Sequence, residues 1–227
     1  MKPEISILLP SLRPELVNKT IKEFEFTNSN TRYEIVVVSP FEVLGSKVKW
    51  IKEIEQFGSV YATNTALTFS QANYVVYFSD DVSPTKDCLR YMLNLVSSHP
   101  SPFIGAFKMQ TQSAKEIGPF GAYNRLYACY GCLHRNTINL LGQLFHSDFK
   151  YSWADIDLSL KCWEMEGKVE ICQESIVIPK QIEDSIYKSH REKYWKQDVD
   201  TFIKKWHNKL GKGLEPIEGV INRRLIG

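Results

Sequence analysis

Tyr74-Val75-Val76-Tyr77-Phe78-Ser79-Asp80-Asp81-Val82-Ser83-Pro84-Thr85 is the stretch on which the fold turns. Residues 74–78 are apolar or aromatic without interruption, the pattern of a strand buried on both faces of a parallel sheet. The run stops at Ser79-Asp80-Asp81, where the strand leaves the sheet. Ser83 and Pro84 then predict a helix start, with a hydroxyl at the N-cap and proline at the first helical position. Ligands of open α/β sheets bind outside the carboxyl ends of the strands. Two acids at such an end can hold a divalent cation and, through it, a phosphate. They would equally serve as acids at a helix N-terminus.

Working outward, residues 5–9 and 34–38 read as further buried strands, and 15–26 as a helix between them. Residues 47–54 predict a short helix, 59–61 a brief strand, and 63–71 the helix leading into the central run. Strands and helices in alternation imply a mostly parallel sheet with right-handed crossovers. Beyond it, 84–98 predicts a helix, 103–109 and 126–134 strands, and 152–166 a helix capped by Ser152 and stopped by Gly167. Residues 168–178 read as extended, and 191–210 as a last helix with an apolar stripe from Tyr194 to Trp206. The long loop from Met109 to Arg125 carries Gly118 and Gly121, and loops of that length are often lids or binding loops. The expected organisation is one α/β domain over 1–178, with a C-terminal helical extension over 179–227 packed on it.

The composition sets bounds on function. The chain has 227 residues, 43% hydrophobic and 24% charged, ordinary for a globular protein with a sizeable core. A formal net charge of +2 is too small to argue for a nucleic-acid partner. From Lys180 onward there are 11 Lys and Arg against 7 Asp and Glu, which fits a solvated helix face or contact with anionic lipid or a diphosphate. No signal-peptide pattern opens the sequence, and no apolar run is long enough to span a bilayer. A cytoplasmic protein, with room for peripheral membrane contact, is the expectation. Cys129 and Cys132 have CxxC spacing but no second pair to complete a zinc site, and they lie in an apolar run where buried thiols are common.

A second acidic cluster is Asp155-Ile156-Asp157. Residues two apart on a helix face nearly opposite ways, so these acids cannot serve one purpose. Asp157 stands four before Lys161, the spacing of a surface ion pair. Asp155 could close a capping box with Ser152 or act as a general base at a cleft.

The order of these pieces resembles the family 2 glycosyltransferases of the GT-A fold. The pieces are Ile5-Ser6-Ile7-Leu8-Leu9-Pro10-Ser11, then Glu34 to Ser39, Asn64, Ser79-Asp80-Asp81, and Asp155 to Lys161, with weaker similarity through His190 and Lys205-Trp206. The resemblance implies a metal-dependent, inverting transfer of sugar from a nucleoside-diphosphate sugar to a glycan, lipid-linked or other hydroxyl acceptor. The family's Asp-x-Asp element falls on Ser79, Asp80 and Asp81, with Asp81 as ligand of a Mn2+ or Mg2+ ion and His190 as a second. Its Glu-Asp pair falls on Ala154 and Asp155, with Asp155 as catalytic base. The acid that closes the second strand and reads the nucleobase falls at Ser39 or Pro40, which shifts base recognition to the Ser39 hydroxyl or Phe41. Pro10, Arg13 and Asn64 are implied donor contacts. Gly131, Cys132, Trp153 and Ala154 would line the acceptor and sugar pocket. Family acids are missing at Ser79, Ala154 and the end of the second strand, which keeps open a non-catalytic nucleotide-sugar or glycan binder. A nucleotidyltransferase is a third reading, although no glycine-rich loop with a following basic residue is present to hold a triphosphate.

Overall fold

The structure is a computed structural model that describes residues 2–118, 120–122, 125–180, 182–206 and 221–222. Along the chain run β1 (Ile5–Pro10), α1 (Pro14–Thr27), β2 (Tyr33–Ser39), β3 (Val48–Lys52), α2 (Ser59–Phe69), β4 (Tyr74–Tyr77), β5 (Val82–Pro84) and α3 (Cys88–Ser97). There follow β6 (Phe103–Met109), β7 (Phe120–Ala122), β8 (Arg125–Leu126), β9 (Gly131–His134), α4 (Arg135–Leu141), α5 (Ala154–Glu164), β10 (Lys168–Pro179), α6 (Ser185–Trp206) and β11 (Ile221–Asn222).

The eight-stranded sheet has the order β3-β2-β1-β4-β9-β6-β10-β5. β1, β2, β3 and β4 are mutually parallel, as are β6 and β10, whereas β9 and β5 run antiparallel to their neighbours. Side-chain alternation sorts the core into two layers. Ile5, Ile7 and Leu9 face α1 and α3 with Val17, Ile21, Phe24 and Leu89. Leu8, Val36 and Val75 face the opposite layer, with residues of α2, α5 and α6 including Ala66, Ile156 and Trp206. Because α1 and α2 lie on opposite faces, the chain reverses its winding between β1 and β4. In a doubly wound sheet that reversal opens a crevice at the strands' carboxyl ends.

Several expected elements differ. Residues 48–52 form a strand, not a helix: Val48, Trp50 and Ile51 are strand formers, and the free edge of β2 pairs with them from Ile35↔Val48 to Ser39↔Lys52. Lys49 and Lys52 on this outer strand discourage further edge pairing. Residues 59–61 are the first turn of α2, following Gly58 at φ 102°. A Cβ on Gly58 would stand 2.2 Å from the Lys150 carbonyl oxygen, and that closeness requires glycine. Ser83 and Pro84 do not start a helix. They form β5 on the edge of β10, where proline's missing N–H costs no ladder bond, and α3 begins only after Asp87. The expected strand 126–134 is two short ones, β8 and β9. The last helix starts at Ser185, six residues earlier than expected, and its expected end at 210 lies outside the described residues. At the end of α5 the left-handed residue is Glu166 (φ 58°) rather than Gly167.

Candidate active site

The β4 exit places its two acids in different roles. Asp80 is 2% exposed; one oxygen accepts the Ser11 hydroxyl at 2.6 Å and the other the Arg13 guanidinium at 3.3 Å. Burial raises its pKa, against the opposing pull of Ser11 and Arg13. Asp80 is thus a tie between the ends of β1 and β4, with both oxygens committed. Asp81 differs: its Oδ1 is buried and has no hydrogen-bond partner among the described residues. Such an atom costs free energy unless something meets it. Ser79 lies beside it on the cleft wall.

The facing wall comes from the start of α5. The backbone of Trp153 is left-handed (φ 68°), a strained conformation for so large a residue, and Ala154 and Asp155 follow directly. Phe202 and Trp195 of α6 hold the Trp153 ring at centroid distances of 4.8 and 5.8 Å. The buried Trp153 indole N–H has no hydrogen-bond partner among the described residues. Ser152 does not cap α5, whose N-cap position is Trp153 and carries no side-chain cap bond; the segment before it is held instead from across the fold. Fully buried on α6, Asp198 accepts the backbone N–H groups of Lys150, Tyr151 and Ser152 at 2.9, 2.9 and 2.8 Å. Asp155 lies close enough to Tyr77 that its charge adds to the burial raising the tyrosine's pKa.

α6 closes the third side. Asp184 accepts the Tyr187 N–H at 2.8 Å at the start of α6 and takes Arg13 through two bonds of 2.6 and 3.0 Å. Those bonds hold the Asp184 carboxyl at about 2. His190 sits against Tyr151 and Tyr194; burial, then Arg13 and Lys193, lower its pKa below the ordinary 6.5, so the imidazole is neutral at pH 7. Asp157 does not pair with Lys161. It is 2% exposed and binds Lys205 at 2.7 Å and the Trp206 indole N–H at 2.6 Å, both on α6, while Lys161 donates to the Leu141 carbonyl.

One cleft of about 570 Å³ therefore gathers Pro10 and Arg13, residues 79–81, residues 153–155 and His190. Four expected site residues are turned elsewhere. The buried Ser39 hydroxyl donates to the Phe41 carbonyl at 2.6 Å and accepts the Trp50 indole N–H at 3.1 Å, so its single donor is already engaged within the fold. Asn64 clamps the backbone of Phe145 at 2.8 and 3.2 Å. Gly131 and Cys132 lie inside the sheet, opposite Tyr77 and Val76. Gly131 is needed there because a Cβ would stand 2.5 Å from the Tyr77 hydroxyl. All five cysteines are free thiols, and burial pushes that of Cys132 upward. Sequence reasoning missed Glu53, Tyr151, Asp184 and Asp198, none of which stands in a local pattern.

Among the described residues no three His, Cys, Asp or Glu side chains form a ready-made metal cage, and no helix is long and apolar enough to cross a membrane. The bare Asp81 oxygen and the neutral His190 ring on the same cleft suit a hard cation whose remaining ligands are phosphate oxygens and water.

No family model matches the chain, and no curated protein matches it in sequence. Solved structures do. PcManGT, a mannosyltransferase from Pyrobaculum calidifontis solved with GDP-Man and Mn2+, superposes with a TM-score of 0.61 at 17% identity, over 90% of this chain and 65% of that one. GalNAc-T7 with UDP, GalNAc and Mn2+ gives 0.67 at 11%, over 94% of this chain and 53% of that one. TarS from S. aureus in complex with UDP-GlcNAc gives 0.64 at 14%, over 89% and 67%. This chain thus spans about two thirds of the first and half of the second. The fold is that of GT-A-type glycosyltransferases.

Proposed function

We propose that this chain is a glycosyltransferase that moves a sugar from a nucleoside-diphosphate sugar to an acceptor hydroxyl, with inversion, and that it belongs to family 2. The observation that carries this reading is the meeting of Asp81, Asp155 and His190, far apart in sequence, on one cleft of a GT-A fold. Asp81 and His190 would hold the cation, which supplies positive charge to a departing diphosphate. Arg13 adds fixed positive charge at the same strand ends. Asp155, at the start of α5, takes the proton from the acceptor hydroxyl as its oxygen attacks the anomeric carbon from the far side. The unpartnered Trp153 N–H is a donor for a sugar hydroxyl. Met109, Ile117 and Phe120 of the long loop line the cleft and would shield the donor from water.

Nucleotide sugars offered with Mn2+ test this by release of nucleoside diphosphate. The parent protein should release it slowly without acceptor. Asp155→Asn should keep nucleotide binding, read by thermal shift, while transfer falls by about 10²–10⁴-fold. Binding with no release over long incubation would instead support a non-catalytic binder, the reading favoured by Ser79, Ala154 and the committed Asp80. No binding by any nucleotide sugar would end both.

A further inference from the structure

The Arg13 guanidinium is gripped on two sides. Its Nε and Nη2 donate to the two oxygens of Asp184 at 2.6 and 3.0 Å, and its Nη1 donates to Asp80 at 3.3 Å. A guanidinium carries five N–H groups, so three are engaged and one is left on each terminal nitrogen. Arg13 lines the cleft, and Asp81 stands near enough for its charge to act on the guanidinium. The two gripping acids differ in place. Asp80 is buried at the exit of β4, whereas Asp184 lies 171 positions from Arg13, directly before α6, with its side chain 34% exposed. A planar fork bonded through two nitrogens to one carboxylate has its plane set by that carboxylate.

By charge alone this grip suits an anion poorly, because two carboxylates surround one cation. Its geometry points the other way. One free N–H on each terminal nitrogen permits a two-bond hold on phosphate, and an arginine already fixed in place loses less rotamer freedom on binding. We propose that Asp184 is a positioning residue for the donor's diphosphate. It acts through Arg13, holding the guanidinium so that the two remaining N–H groups meet phosphate oxygens beside Asp81. The inference rests on the transferase reading above. It also ties the diphosphate site to α6, since the Asp184 oxygen that takes Arg13 Nη2 accepts the Tyr187 N–H in the first turn of that helix as well. Capping α6 is therefore the competing role for the same carboxylate, and the two roles part when Arg13 is changed.

Titration calorimetry of UDP, GDP, ADP, CDP and dTDP with Mn2+ tests this on whichever nucleotide the parent binds most tightly. Asp184→Asn removes a negative charge from the site, so plain electrostatics predicts tighter binding. Positioning predicts the reverse, a loss of roughly 3- to 10-fold, the cost of ordering one long side chain on binding. Arg13→Lys keeps the charge without the fork and should lose at least as much. In the Arg13→Lys background, Asp184→Asn should cost less than about twofold, because the residue acts through the guanidinium. Each variant is first checked for a cooperative melt. Equal or tighter binding by Asp184→Asn, or the same loss in both backgrounds, overturns the assignment and leaves the transferase reading standing. Should Asp184→Asn not fold, Arg13→Lys binding as tightly as the parent overturns it instead. A parent that binds none of the five nucleotides removes the transferase reading, and the assignment with it.

Discussion

Asp198 offers the sharpest test of how the cleft is held. Its two oxygens take three backbone N–H groups from residues 150–152, the segment leading into Trp153 and Asp155, and the residue is fully buried. In Asp198→Ala all three donors lose their partner, at about 1–3 kcal/mol each, less what relaxation and entering water recover. A total of about 4–6 kcal/mol follows. In Asp198→Asn the amide keeps one oxygen. It does best to leave that oxygen toward Tyr151 and Ser152 and set its NH2 against the Lys150 N–H, losing one bond at about 1–3 kcal/mol. For a chain of this size 1 kcal/mol shifts the midpoint by about 2–4 °C. Calorimetric melting should therefore place the alanine variant about 8–24 °C below the parent, with the asparagine variant between them. An alanine variant melting within about 2 °C of the parent would refute the claim that these bonds organise the segment.

The remaining expectations concern charge. Lys205→Met leaves Asp157 buried with only the Trp206 N–H and should cost about 2–4 kcal/mol in denaturant unfolding, whereas Lys204→Met on the same turn should change little. Glu53 titrates near 7 when folded against an ordinary 4.5, so the folded state favours its protonated form. The Glu53 contribution is then most favourable below pH 4.5 and is lost as pH rises to 7, so Glu53→Gln should gain on the parent in melting temperature across that window. Asp184 has the opposite sign, held at about 2 by Arg13 against an ordinary 3.8. Its contribution is present above pH 3.8 and lost as pH falls toward 2, so the stability gap between parent and Asp184→Asn should close on acidification through that range.

How much of this was legible follows from what each residue depends on. β1, β2 and β4 could be read because strands buried on both faces leave long apolar runs. β3 could not: Val48, Ile51 and Ile54 fit a helical face, and what makes 48–52 a strand is the free edge of β2. Asp157 pairs with a residue 48 positions away although a lysine stands four away, because burial beneath α6 outweighs a surface pair. In the site, Asp81, Asp155 and His190 were found through the order of motifs, and the cleft does gather them. Ser39, Asn64, Gly131 and Cys132 stand in the same motifs, yet their side chains or backbone are consumed by the fold. Glu53 stayed hidden because reading its surroundings as a helix concealed that it ends a strand.

The bonds of Asp198 and Asp157 also bear on biosynthesis. A ribosome delivers the chain from its amino end, so everything through β10 emerges before α6 is available. Until then the amides of 150–152 and the carboxylate of Asp157 are without their native partners, and His190 is absent from the cleft. The nascent protein can assemble its sheet early, but the cleft has all its walls only once α6 has docked, and a product ending before α6 lacks one of them.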